Sequence, residues 1–430
     1  MALLLYNCKV FSHSGQLAGD LLVSDEGKIE KISHNLTADE KIDLHGSLVL
    51  PGLIDPHVHL RDPGSTQKED FLSGTSAALA GGVTTILDMP NNFPPVVSQR
   101  GIEEKKKIAA AKAVCDYGFY IGATNANAAE AQKSEAVALK LYMGSTTGDL
   151  LVEDDNVLNE IFAIFRRTIV VHAEDNVCIK QADSVEHIVA NHNKLRPPQC
   201  AEIALQKAIS LAEKHNAKLH VAHLSTAGEV EMVKNSKEKG LNVSCEVTPH
   251  HLFLNEQTAA EKGNFAKVNP PLRSPADQLA LWRSLDVIDC IATDHAPHTI
   301  AEKQKSYDEA PSGLPGLETT LPLLLDAYNK RRIGLETIIR LTSFNPARIF
   351  GLKSKGKMAV GFDADLAVVD LNKERKIRGE ELKTKSRWTP FEGMVCKGSL
   401  LKTFLRGKEA YDGENILLKG GEGKNVKYWQ

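Results

Sequence analysis

Along the middle of the chain, short apolar runs alternate with longer stretches of helical periodicity. Eight runs read as strands: Leu53–His59, Val83–Leu87, Tyr117–Ile121, Val137–Leu141, Thr168–His172, Lys218–His223, Leu241–Glu246 and Val287–Thr293. The clearest helices between them are Gln99–Val114, Asp155–Phe165, Glu202–His215, Thr226–Lys237 and Ala276–Leu285. Strands that alternate with helices argue βα units and a parallel sheet. Eight such units over roughly 300 residues match a (β/α)8 TIM barrel. An open doubly wound sheet is the competing topology, but no Gly-x-Gly-x-x-Gly follows the first strand.

Both ends of the chain read differently. Leu3–Phe11, Gly19–Val23 and Ile29–Ile32 are short strands broken by the turn Asp25-Glu-Gly27. Leu366–Val369 and Thr403–Leu405 are similar. The predicted fold class is therefore α/β, a barrel over 51–352 with a small β-sandwich domain formed by both termini, 1–50 and 353–430. The Lys- and Gly-rich Lys419–Lys427 reads as a loose tail.

Composition narrows the class without naming a function. A net charge of −3, with 25% charged and 42% hydrophobic residues, is ordinary for a globular protein and offers no electrostatic case for nucleic acid. No apolar run reaches the length of a membrane-spanning helix, and Met1–Tyr6 lacks the basic start of a signal peptide. The seven Cys are odd in number, scattered and without a C-x-x-C. That pattern predicts reduced thiols in the cytoplasm rather than a disulfide framework.

The chemistry gathers where strands end. In a barrel, the C-terminal strand ends meet on one face and build the active site. Those ends carry His57 and His59, Asn91, Lys140, His172, His223 and Asp294. His57 and His59, two apart on a strand, share a face. Each residue alone has a plainer reading: His172 or His223 as core histidines, Lys140 as a surface strand lysine, Asp294 as a helix N-cap. Four His and one Asp on a single rim instead point to a transition-metal site.

The motifs behind these residues carry a resemblance. Asp55-Pro-His57-Val-His59-Leu-Arg61-Asp-Pro63-Gly64, Met89-Pro-Asn91-Asn92, Leu139-Lys140-Leu, Val171-His172-Ala-Glu174, Ala222-His223-Leu-Ser225, Ala292-Thr-Asp294-His295-Ala-Pro-His298 and Pro311-Ser-Gly313 occur in one order. That order resembles the dihydroorotases of the amidohydrolase superfamily over essentially the whole chain. The resemblance implies two zinc ions, with manganese or cobalt as substitutes. His57, His59 and Asp294 would hold the first metal, and His172 and His223 the second. Lys140 would bridge them as a carbamate formed with CO2; Asp149 is the alternative bridge. Asp294 would be the catalytic proton shuttle. Arg61, Asn91 and His298 would contact a substrate carboxylate and Asn269 its ring. A salt bridge of Arg61 with Asp62 or Asp70, and a plain turn role for His298, are the competing readings.

The implied activity is reversible interconversion of L-dihydroorotate and N-carbamoyl-L-aspartate, by a cytoplasmic homodimer acting on a small molecule. No residue pattern indicates a transcarbamoylase partner. Hydantoinases, dihydropyrimidinases and allantoinases share the metal cage but not an arginine after the His pair. A non-catalytic scaffold of this fold would have lost ligands that this chain keeps.

Overall fold

The computed structural model describes residues 2–17, 19–145 and 150–428. The eight barrel strands are β1 (Leu53–Val58), β2 (Val83–Asp88), β3 (Asp116–Gly122), β4 (Ala138–Tyr142), β5 (Ile169–His172), β6 (Leu219–Val221), β7 (Val243–Val247) and β8 (Cys290–Ile291). They form one eight-stranded sheet in sequential order, each pair parallel. Nearly every position is buried, as expected of strands covered by helices outside and packed side chains inside. The expected helices appear as Gln99–Lys112, Asp155–Ile164, Pro198–His215, Ala227–Glu238 and Pro275–Arg283.

β8 is shorter than its apolar run suggested, and closure runs through the residues just past it. Val58 bridges His295 in parallel, and His59 N donates to His295 O at 2.8 Å. The Asp55 carboxylate of β1 accepts from Thr293 N (3.2 Å) and Thr293 Oγ1 (2.5 Å). Burial pushes the Asp55 carboxyl up to about 7, opposed by these bonds. The seam between first and last strands thus brings Asp294 beside His57 and His59.

The two termini share a sheet. Lys408–Tyr411, Val395–Leu405, Leu366–Lys376, Leu48–Pro51, Lys9–Ser12 and Gly15–Leu17 lie in that order in a six-stranded sheet. Ile29–Ser33, Asp20–Val23, Leu3–Tyr6 and Glu40–Asp43 form a four-stranded one. The apolar run expected as one strand, Leu3–Phe11, is broken: Asn7 takes φ 53°, and the pieces on either side enter different sheets. Leu5, Val10, Leu21, Val49 and Phe404 make the shared core.

Two further expectations are corrected. The segment read as a loose tail is anchored: Tyr117 N donates to Lys424 O (3.0 Å), Val426 N donates to Tyr117 O (2.8 Å), and Val426 packs in a cluster with Tyr120 and Val137. Its partners lie some 300 residues away in sequence, where local composition carries no signal. Cys178 and Cys200, expected as free thiols, form a disulfide across 22 residues. Asp175 N donates to Cys200 O at 2.8 Å, so the loop after β5 and helix Pro198–His215 are brought together by the fold rather than by Cys spacing. Among the described residues, no helix is long and apolar enough to cross a membrane.

A buried charge cluster fastens the terminal sheets to the barrel. Lys355 Nζ reaches Asp116 Oδ2 (2.5 Å), Asp365 Oδ2 (2.6 Å) and Asp363 Oδ2 (3.0 Å), and Arg406 also pairs with Asp116. Lys355→Met would leave these carboxylates short of their shared cation, an expected loss of about 3–5 kcal/mol. Urea titration should show the lowered midpoint; an unchanged midpoint would show the cluster to be dispensable.

Candidate active site

Every rim residue predicted from the strand ends converges on one cavity. Its lining includes His57, His59, Arg61, Asn91, Lys140, His172, His223, Asn269 and Asp294. The four imidazoles run in a chain, with ring centres 5.3 Å apart for His57–His59, 5.5 Å for His57–His223 and 4.8 Å for His172–His223. Three of these residues bend the backbone into the left-handed region: Arg61 at φ 62°, His223 at φ 38° and Asp294 at φ 47°. Non-glycine residues pay on the order of 1–3 kcal/mol for such conformations, and they cluster at functional sites. Here the bend turns each side chain off its strand path and over the barrel mouth.

The first cluster is His57, His59 and Asp294. His57 Nδ1 meets the carboxylate of Glu246, and His59 Nδ1 lies 2.6 Å from Asn91 Oδ1. Both partners are acceptors, so each neutral ring carries its proton on Nδ1. That leaves both Nε2 lone pairs facing inward, 3.3 Å and 3.0 Å from Asp294 Oδ1. Burial pushes the His59 ring down to about 4, so it is neutral at physiological pH. Three acceptor atoms thus converge with no proton between them. Such an arrangement is stable only around a cation, and its nitrogen and oxygen donors fit a transition metal.

The second cluster follows the same logic. His172 Nε2 stands 3.1 Å from Glu174 Oε2, and Arg196 holds that carboxylate through two bonds of 3.1 and 2.6 Å. His172 Nδ1 is thereby aimed at His223 Nε2, 2.9 Å away. Burial keeps both rings below their ordinary pKa. Lys140 Nζ is fully buried and has no hydrogen-bond partner among the described residues. Burial pushes its ammonium down to about 8. An orphaned amine between two histidine pairs fits a bridging ligand once it is made anionic. Asp149, the alternative bridge, lies outside the described residues.

The salt bridges of Arg61 with Asp62 or Asp70 are absent from the structure. Asp62 pairs with Lys112 (2.7 Å) and Asp70 with Lys385 (2.7 Å), so neither supplies its counter-charge. Arg61 Nε donates to Pro297 O at 3.3 Å, and Nη2 lies 3.2 Å from His298 Nε2. No carboxylate among the described residues lies within ion-pair distance of it. His298 itself is fully buried and stands behind Arg61 rather than in the cavity wall. Lys68 Nζ lies 3.1 Å from its Nδ1, while Arg61 Nη2 (3.2 Å) and Ser312 O (3.1 Å) both lie by Nε2, so a neutral ring can accept from only one of the two cations. Asn269 lines the cavity, its Oδ1 3.0 Å from His192 Nε2. Asn91 has a duty beyond substrate contact, as the acceptor that sets the His59 tautomer.

Reading strand ends missed several residues. Glu246 is the clearest: its carboxylate also holds His220 Nε2 (3.1 Å) and His223 N (3.3 Å). It closes the seventh predicted strand, so the rule that found His172 and His223 would have found it. Tyr142, two beyond Lys140, also lines the cavity. Ser312 and Gly313 come from a loop whose approach only tertiary structure reveals. Gly313 sits at φ 142°, and a Cβ there would lie 2.5 Å from Ala296 O.

Comparison with known proteins agrees with this geometry. The family model described as the amidohydrolase family matches residues 48–410. The dihydroorotase of Methanothermobacter thermautotrophicus is 40% identical over 422 residues, covering 95% of this chain and 94% of the relative. That of Methanosphaera stadtmanae is 37% identical over 418 residues, covering 94% and 95%. Among solved structures, an L-hydantoinase from Arthrobacter aurescens superposes with a TM-score of 0.94 at 30% identity, covering 99% of both chains. The chain belongs to the amidohydrolase family, on its dihydroorotase branch.

Proposed function

We propose that the protein is a dihydroorotase that interconverts L-dihydroorotate and N-carbamoyl-L-aspartate. One observation carries the substrate assignment beyond the family likeness. Arg61 is a buried guanidinium in the cavity wall, and no carboxylate among the described residues neutralises it. A desolvated cation without a partner is costly, and a guanidinium suits a carboxylate ligand. Dihydroorotate carries such a carboxylate; hydantoin and dihydrouracil do not.

In this reading His57, His59 and Asp294 would hold one zinc ion and His172 and His223 a second, and the Lys140 amine, made anionic as a carbamate, would be a further ligand. When bound, the metal pair polarises the ring carbonyl and makes water acidic enough to attack at neutral pH. The chain's own groups do the rest. Arg61 holds the carboxylate and so fixes which ring carbonyl faces Asp294. Asn269 contacts the ring through the amide that His192 orients. The Asp294 carboxylate takes the proton of the attacking water and returns it to the ring nitrogen as the C–N bond breaks. In the cyclising direction the same carboxylate takes the proton from the ureido nitrogen as that bond forms and passes it to the departing hydroxyl, which leaves as water as its C–O bond breaks. A cytoplasmic setting and a homodimeric assembly complete the proposal.

Metal removal is the first test. Chelated enzyme should lose turnover of L-dihydroorotate, followed by absorbance, and regain it with added zinc. Turnover of hydantoin or dihydrouracil in place of dihydroorotate would move the protein to the neutral-ring amidases, the reading that the hydantoinase-like fold favours. Full metal content with no turnover of any of them would favour a non-catalytic scaffold.

Arg61→Ala tests the pocket separately. Removing one member of a buried charge pair costs about 2 kcal/mol or more, so kcat/KM for dihydroorotate should fall at least ~30-fold. Bound zinc, measured by atomic absorption, should be unchanged. A variant of undiminished kcat/KM would remove the carboxylate assignment.

A further inference from the structure

Among the side chains that line the cavity, Tyr142 stands out because neither the metal clusters nor the proposed chemistry uses it. Alternation along β4 puts it on the same face as Lys140, one repeat closer to the rim. Its backbone is fixed on both sides, paired with His172 and bridged to Leu151. The ring is fixed as well, with Lys140 Nζ 5.2 Å from its centre and the His172 ring 6.1 Å away. The residue is only 5% exposed. Its hydroxyl is buried and has no hydrogen-bond partner among the described residues.

A phenylalanine would fill the same space without that cost. Buried hydroxyls are nearly always paired, and an unpaired one calls for a partner that the described residues do not supply. Tyr142 lines the same cavity as Asp294 and Arg61, so its hydroxyl shares that space with the proposed proton shuttle and the guanidinium. A phenol is a hydrogen-bond donor at neutral pH and can serve an anion.

We propose that Tyr142 is a substrate-contacting residue whose hydroxyl donates a hydrogen bond to the carboxylate held by Arg61. This rests on the dihydroorotase reading. In this arrangement the mouth has two layers. His57, His59, Lys140, His172, His223 and Asp294 form the lower, metal-holding layer. Arg61, two residues past His59 beyond the end of β1, and Tyr142, two residues past Lys140 on β4, form the upper layer that reads the substrate.

Tyr142→Phe tests this, because it keeps the ring packing and deletes only the donor. Wild-type turnover of L-dihydroorotate is measured first, with metal content determined; an inert wild type with full metal overturns the dihydroorotase reading and this assignment with it. With an active wild type, the variant should show a KM raised about tenfold, the equivalent of ~1.4 kcal/mol. Its kcat should stay within about twofold, and its zinc content and melting temperature should match wild type, since a recognition bond acts on binding rather than on the chemical step. Unchanged KM and kcat would overturn the proposal. So would a fall in kcat at constant KM, or lost zinc, either of which would give the hydroxyl a role at the metal layer instead.

Discussion

The site depends on where the imidazole protons are held. A histidine binds metal through a lone pair, and which nitrogen offers it is set by the bond made at the other. Glu246 accepts a hydrogen bond from Nδ1 of His57 and Asn91 Oδ1 one from Nδ1 of His59, and Glu174 faces Nε2 of His172. Glu246 and Asn91 lie on or just past strands other than those of the histidines they serve, whereas Glu174 follows His172 just past its own strand and is held there by Arg196. The ligand set is therefore a property of the closed barrel. No single strand could fix it, and the arrangement exists only when neighbouring strands are in register.

That register is set at the seam. β1 and β8 meet through the bonds of Asp55 to Thr293 and of His59 to His295, not through a long ladder. Asp294 lies between those two bonded residues, which is how a carboxylate at φ 47° is held against His57 and His59. The strained backbone and the unpaired acceptors are both unfavourable in isolation. They persist because the barrel around them is overdetermined by its packing, the usual condition for strain at a working site.

The sequence made the lower layer legible because one rule sufficed. Runs of apolar residues gave the strands, and reading only their last residues gave all four histidines, Lys140 and Asp294. Glu246 was equally within reach and was passed over. The parts that stayed hidden share a physical cause: they depend on contacts remote in the chain. The tail 424–426 pairs with Tyr117, Cys178 meets Cys200 through helix packing, and His298 is turned away from the cavity by Lys68 and Ser312. None of these leaves a periodicity or a spacing. The run Leu3–Phe11 failed in the opposite way, because its hydrophobic pattern is continuous across a reversal that only Asn7 at positive φ betrays.

The same division explains how one fold serves different cyclic amides. The metal layer is built on strands and braced by buried carboxylates, so it tolerates little change. The reading layer is braced from outside the strands. Lys303 Nζ binds the carbonyls of Pro311 (2.9 Å) and Gly313 (3.1 Å), and Lys267 Nζ binds those of Tyr307 (2.5 Å) and Ala310 (2.8 Å), which holds the loop carrying Ser312 and Gly313 over the cavity. Trp388, from the C-terminal part of the chain, donates to His298 O at 2.7 Å and so backs the residue that supports Arg61. Substrate preference in barrels changes by loop variation over a fixed scaffold. Here Arg61 lies buried in the cavity wall with no ion-pair partner among the described residues, next to His298, which Trp388 and Lys68 contact from outside the cavity. A backbone superposition cannot register such a charge, which is why overall likeness to a hydantoinase and a pocket suited to an acid are compatible in the same molecule.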